Sequence, residues 1–210
     1  AFRCDMAEMV PVEFWHYAIK QVKAKYDVEF IAEVYNPNEY RNYIHNGGFD
    51  YLYDKVGLYD TLRAVTCQHA SASSITQAWQ NTDDIKDNML YFLENHDEQR
   101  IASDFFCGDA HKAIPAVVVA ACMHTNPLMI YAGQEIGERG MDAEGFSGLD
   151  GRTTIFDYWC VDSLKKLASI STSARSKYTA EKQLSTNELS LYKDYERILQ
   201  LRRDNTALSE

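Results

Sequence analysis

No stretch of this 210-residue sequence is apolar for long enough to cross a bilayer. The longest, Ala113 to Met123, falls well short of the roughly 20 residues that a spanning helix needs. No Gly-x-Gly-x-x-Gly follows the first strand-like stretch, so a dinucleotide fold has no support. No Gly-x-Ser-x-Gly elbow is present either. Gly145-Phe146-Ser147-Gly148 does not match it, and Ser-His-Asp catalysis loses its anchor. Cys4, Cys67, Cys107, Cys122 and Cys160 form no Cys-x-x-Cys pair. An odd, scattered set is neither a zinc site nor a disulfide framework. It reads as buried free thiols, which suit a reducing compartment. No signal peptide is visible. The chain opens in a strand-like stretch, Ala1-Phe2-Arg3, so any targeting segment is expected upstream, and the compartment stays open.

Positive charge is also short. Twenty-one Lys and Arg face 31 Asp and Glu, a net charge of -10. That argues against nucleic-acid backbones and anionic membrane surfaces as partners and suits a neutral ligand. What is present is an ordinary globular composition, 46% apolar and 25% charged, which is expected to fold. The length is that of one domain with a sizeable core. Fourteen tyrosines contribute to an aromatic share of 12%, and such a surplus suits stacking on sugar rings.

Strand-like and helix-like segments alternate. Strands are predicted at Ala1–Met6, Val28–Tyr35, Phe49–Tyr53, Met89–Leu93 and Leu128–Tyr131. Pro11 opens a helix in which Phe14, Ala18, Val22 and Tyr26 are expected on the buried face. A short helix is expected at Glu39–His45, ended by Gly47-Gly48. Leu58 and Leu62 fall in step in a later helical region, which carries Ile75 and Trp79 further on. His111–Thr125 is an apolar helix stopped by Asn126-Pro127. Gly137–Gly151 is a glycine-rich loop. Leu189–Arg203 is amphipathic, with Leu191, Tyr195, Ile198 and Leu201 on one face. The repeated β-α order implies parallel strands with helical crossovers. The expected class is α/β, and five strands are too few for a closed eight-stranded TIM (β/α)8 barrel.

Three acids stand at or near the ends of these strands. Arg3 and Asp5 are two apart, hence on one face of a strand. A guanidinium beside a carboxylate keeps it ionised and aimed, as a nucleophile requires, although a structural ion pair reads the same way. Glu33 ends an otherwise apolar strand. A carboxyl there is costly unless paired or functional, and partial desolvation favours the protonated form that an acid catalyst uses. Asn95, His96, Asp97 and Arg100 offer an amide, an imidazole, a carboxylate and a guanidinium within one turn. That set can grip several hydroxyls, or simply cap a polar loop. No second histidine stands at ligand spacing, so a metal site is weakly supported. Carboxyls converging from strand ends are what a β/α barrel uses for catalysis and what glycosidic cleavage needs.

The motifs are specific. Phe2-Arg3-Cys4-Asp5 resembles the Gly-Phe-Arg-x-Asp motif of the α-amylase family of glycoside hydrolases, less its glycine. Phe30-Ile31-Ala32-Glu33-Val34 resembles that family's general-acid strand. Phe92-Leu93-Glu94-Asn95-His96-Asp97, with Arg100 following, resembles its Phe-x-x-Asn-His-Asp motif. Pro127 to Glu135 is similar to its last barrel strand, and Leu189 to Leu208 to its final barrel helix. The resemblance implies that Asp5 is the nucleophile, Glu33 the acid/base and Asp97 the group that holds a distorted sugar. It further implies that Arg3 orients Asp5, that His96 and Asn95 serve the sugar-binding side, and that Arg100 supports the Asp97 loop. The substrate class implied is α-glucan, hydrolysed with retention or transferred to another sugar. A catalytically silent carbohydrate-binding barrel is the remaining alternative.

The resemblance also fixes an expected extent. The chain corresponds to about strands four to eight of the partial barrel. The earlier strands, the loop domain that often binds calcium and the following β-sandwich are not represented. No cofactor is expected to be required by this segment, and calcium dependence is left open for the intact protein. Open sheet edges are expected to favour self-association and to leave the segment poorly active. Glu8 and Met9 stand where many family members have Lys-His. Glu8 is read either as an acceptor-side contact or as a favourable acid in the first turn of a helix. Trp15, Trp79 and Trp159 are read as packing residues, with sugar platforms as the alternative.

Overall fold

The structure is a computed structural model and describes residues 1–141, 149–157, 161–171 and 182–209. The chain divides into two compact units. The first comprises Ala1–Phe92 with His124–Met129, the second Leu93–Met123 with Ile130–Glu210.

The first unit is built on a parallel sheet of β1 (Phe2–Cys4), β2 (Phe30–Ala32), β3 (Tyr51–Tyr53), β4 (Met89–Phe92) and β5 (Leu128–Met129), in chain order. All five predicted strands are present, each shorter than its sequence run. The ladder stops as the chain turns polar, with Asp5 just beyond β1, Glu33 beyond β2 and Asp54 beyond β3. Register pairs Phe2 with Phe30, Arg3 with Ile31 and Cys4 with Ala32. The Phe2 and Phe30 rings stack at 5.2 Å. Ala32, Val34, Leu52 and Met89 are fully buried, as expected where helices cover a parallel sheet.

Helices α1 (Val12–Lys23), α2 (Asp60–Thr66) and α3 (Ser74–Gln80) occupy the crossovers of this unit. The predicted face of α1 needs correction. Phe14 and Tyr26 are exposed, and the helix ends at Lys23, before Tyr26. Ile19 is the buried residue, with Trp15 and Val22 half-buried beside it. A strict spacing of four drifts around a helix of about 3.6 residues per turn, whereas positions 15, 19 and 22 stay on one side. Leu58 and Leu62 are buried as predicted. The short helix after β2 is a π-type turn, Asn42–Asn46, capped by Gly47.

The second unit carries α4 (Ile114–Cys122), α5 (Asp162–Ser171), α6 (Thr186–Asp204) and α7 (Thr206–Ser209). Helix α4 buries Ala116, Val117, Ala120 and Ala121. Helix α6 starts at a complete capping box between Ser185 and Glu188, and its buried stripe is Leu191, Tyr195 and Ile198. Leu201, expected on the same stripe, is exposed. Ile136, Ile170 and Leu184 form a small core cluster with Leu167, Leu189 and Tyr192. Within the glycine-rich segment, residues 142–148 lie outside the described residues. Gly140 takes a left-handed φ of 58° so close to Gly151 that a Cβ would lie 2.7 Å from its carbonyl carbon. Cys4, Cys67, Cys107 and Cys122 are thiols rather than disulfides, and half-buried where the sequence predicts burial; Cys160 lies outside the described residues.

Candidate active site

Arg3 gathers two of the predicted acids in the first unit. Its Nη1 donates to Asp5 Oδ1, and its Nη2 lies 3.2 Å from Glu33 Oε2. The second contact is an ion pair rather than an aligned hydrogen bond. The Tyr53 ring stands 5.7 Å from the guanidinium carbon. Burial works against the Arg3 charge, but Asp5, Glu33 and Tyr53 outweigh it and hold the guanidinium protonated above its usual range. Glu33 is buried, whereas the Asp5 side chain is 76% exposed. Two carboxyls that share one guanidinium are close neighbours.

The backbone reinforces this pairing. The Glu33 amide donates to the Cys4 carbonyl at 3.1 Å, and the Ala7 amide to the Glu33 carbonyl at 2.9 Å. Between them the Met6 amide donates to Glu33 Oε2 at 2.8 Å. To reach that position Met6 adopts φ 40°, ψ 47°, a left-handed conformation rare for a residue with a side chain. Such a conformation costs about 1–3 kcal/mol and persists only where its surroundings impose it. The imposing contacts are the Trp15 indole, donating to the Ala7 carbonyl at 2.9 Å, and the Tyr43 hydroxyl, 3.1 Å from the Glu8 carbonyl and 2.9 Å from that of Val10. Trp15 also meets the Phe49 ring edge-on at 5.0 Å, and Trp79 meets His124 at 6.1 Å. Both tryptophans therefore make the packing contacts expected of them. Trp159 lies outside the described residues.

Glu8 is the acid in the first turn of a short 3-10 helix, in line with the helix reading of the sequence. It sits in the turn Ala7–Met9, ahead of α1. Its carboxylate accepts the Tyr35 amide at 3.3 Å and the Asn36 amide at 3.1 Å.

Asn95, His96, Asp97 and Arg100 come together in the second unit. Asn95 is 1% exposed, and its Oδ1 accepts the amides of Asp97 and Glu98 at 2.9 and 2.8 Å. Through that oxygen it shapes the turn. His96 Nε2 lies 3.1 Å from Asp97 Oδ2, and half of the Asp97 side chain is open to solvent. Arg100, expected to support the Asp97 loop, is completely buried. It donates to Glu94 Oε2 at 2.7 Å, to the Ala132 carbonyl at 2.9 Å and to Thr153 Oγ1 at 3.1 Å, with the Tyr131 ring 4.3 Å away. Burial pushes the Glu94 carboxyl up, against Arg100 and the Ile101 amide, which favour the anion. Arg100 thus braces the turn from beneath.

Two groups escaped sequence reasoning. Glu94 lies inside the recognised motif but gives no sign there of being the partner of Arg100. Asp54 caps the turn Lys55–Tyr59, its Oδ1 accepting the Leu58 amide at 3.0 Å. An Asp opening a turn was a legible cap signal; its near-complete burial was not. Among the described residues no group of three or more His, Cys, Asp or Glu is placed to hold a metal ion, and no helix is long and apolar enough to cross a membrane.

Solved structures of amylases and a CGTase share this fold. A noncanonic maltogenic α-amylase from Thermotoga neapolitana matches at a TM-score of 0.61 and 19% identity, over 100% of this chain and 40% of its own. A γ-CGTase from alkalophilic Bacillus clarkii matches at 0.59 and 18%, over 80% and 25%. An α-amylase from H. orenii matches at 0.59 and 20%, over 97% and 43%. The chain thus spans less than half the length of each. No curated protein gives a significant match. The fold is α/β, with the parallel strands and crossover helices of a partial barrel, as the sequence predicts. The family model for the α-amylase catalytic domain matches residues 5–210, which contain Asp5, Glu33 and Asp97, and with that match the chain belongs to the α-amylase family.

Proposed function

We propose that this chain carries the catalytic carboxyls of a retaining enzyme acting on α-glucans such as malto-oligosaccharides. The observation that carries the reading is the sharing of Arg3 between Asp5 and Glu33. Retaining glycosidases hold their two carboxyls about 5 Å apart, and a common guanidinium favours such closeness. Asp5, ionised beside Arg3, attacks the anomeric carbon. The bond to the leaving oxygen breaks as Glu33 gives that oxygen its proton. Glu33 then takes a proton from the incoming hydroxyl, which displaces Asp5 and restores the original configuration. Asp97 and His96 bind sugar hydroxyls. Asn95 and Arg100 fix the turn that presents them.

The incoming hydroxyl belongs to water in a hydrolase and to a sugar in a transferase. The similarity to both amylases and a γ-CGTase supports keeping transfer as the second reading. The chain is proposed to form the C-terminal part of the barrel of a longer protein, with any calcium requirement lying outside it. The test is release of reducing ends from malto-oligosaccharides by the intact protein and its Asp5→Asn variant. A loss of at least about a thousandfold is expected for a missing nucleophile. Unchanged turnover would overturn the assignment, and binding without turnover in the wild type would favour a silent barrel. Products longer than the substrate would identify transfer.

A further inference from the structure

We infer that Glu8 is a positioning residue for Glu33, an inference that rests on Glu33 being the acid/base. Three links join the segment after β1 to the segment after β2. The Met6 amide holds the Glu33 carboxylate at 2.8 Å, the Ala7 amide holds the Glu33 carbonyl at 2.9 Å, and the Glu8 carboxylate holds the Tyr35 and Asn36 amides at 3.3 and 3.1 Å. The three donors and acceptors fall on consecutive residues, so segment 6–8 clasps segment 33–36 along its length. On the side of segment 6–8 only the third link is made by a side chain, so it can be removed without altering the backbone or Glu33 itself.

The clasp has a stiff base. Tyr43 and Trp15, through their polar tips, fix the carbonyls of Ala7, Glu8 and Val10. Glu8 therefore reaches from a fixed turn to a segment that begins at the catalytic carboxyl. Asn36 and Pro37 are exposed, whereas Val34, just before the amides that Glu8 holds, is fully buried. A carboxylate accepting two amides is a strong restraint because charge-assisted bonds exceed neutral ones. Losing it lets the segment after Glu33 shift. A shift of the order of 1 Å is enough to cost a hundredfold in a proton transfer.

A defect in proton donation is separable from a general defect by leaving group. The oxygen of a malto-oligosaccharide must be protonated as it departs, whereas fluoride leaves as the anion. In the intact protein, Glu8→Ala is expected to lower kcat/KM on maltopentaose roughly ten- to a hundredfold, while kcat/KM for α-maltosyl fluoride, which reports only the departure of fluoride and not the later base-assisted step, falls less than about threefold. Glu8→Gln, which keeps one acceptor oxygen, is expected to recover most of the loss and serves if Glu8→Ala folds poorly. Equal losses on both substrates, or no loss on either, would overturn the role of Glu8. Glu33→Gln is the reference. If it shows the split and Glu8→Ala does not, the positioning role alone fails. If Glu33→Gln shows no split, the acid/base assignment fails, and the positioning role with it.

Discussion

At the scale of single residues, the first unit contains a buried carboxyl, Asp54, whose protonation bears on stability. Burial pushes Asp54 up to about 6, against the Leu58 and Gly57 amides that favour its anion, with a smaller upward push from Asp60. The folded form therefore holds a proton that the unfolded chain, with its ordinary carboxylate, has already released. Stability is fullest below the unfolded value and declines as pH rises through about 6. Between about pH 5 and about pH 7.5 the decline is on the order of 1 kcal/mol. Urea unfolding at those two pH values is expected to show that fall in the native sequence and to lose it in Asp54→Asn. Asp54 also constrains its neighbour, since a Cβ on Gly57 would lie 2.2 Å from Asp54 Oδ1. The cap and the glycine are one device.

At the scale of elements, α6 owes its start to a capping box. The Ser185 hydroxyl accepts the Glu188 amide at 3.2 Å, and the Glu188 carboxylate accepts the Ser185 amide at 2.7 Å. Removing the hydroxyl with Ser185→Ala is expected to destabilise the protein by about 1 kcal/mol, read as a lowered urea midpoint with unchanged slope. This helix, like the five strands, was legible in the sequence. Periodicity and end signals act over a few residues, and the acids at the ends of β1 and β2 fell where those patterns said. What the sequence did not show lies in contacts between distant segments. Met6 meets Glu33 and Glu8 meets Tyr35 across 27 positions. The left-handed backbone at Met6 and the burial of Asp54 depend on such closure, whereas Arg100 and Glu94 pair across six positions, around a turn that no periodic pattern describes. The face of α1 was misread for a local reason, because a spacing of four was followed beyond the turn where it leaves the interior.

At the scale of the whole molecule, the sheet has β1 and β5 as its two edges among the described strands. Phe2 on β1 is 52% exposed, and Phe14 and Tyr17 of the following helix are exposed too. Unpaired strand edges with apolar neighbours recruit other chains. The 210-residue chain on its own is expected to show a sedimentation mass that rises with concentration, together with little or no turnover of malto-oligosaccharides. A monomer at every concentration, or robust turnover, would contradict this. The strand order has a further consequence, for the way the chain is made. Each strand after β1 lies beside the one synthesised just before it, so each of these finds a neighbour already made. A ribosome releasing this chain hands each βα unit to a surface already laid down, and sheet growth keeps pace with translation.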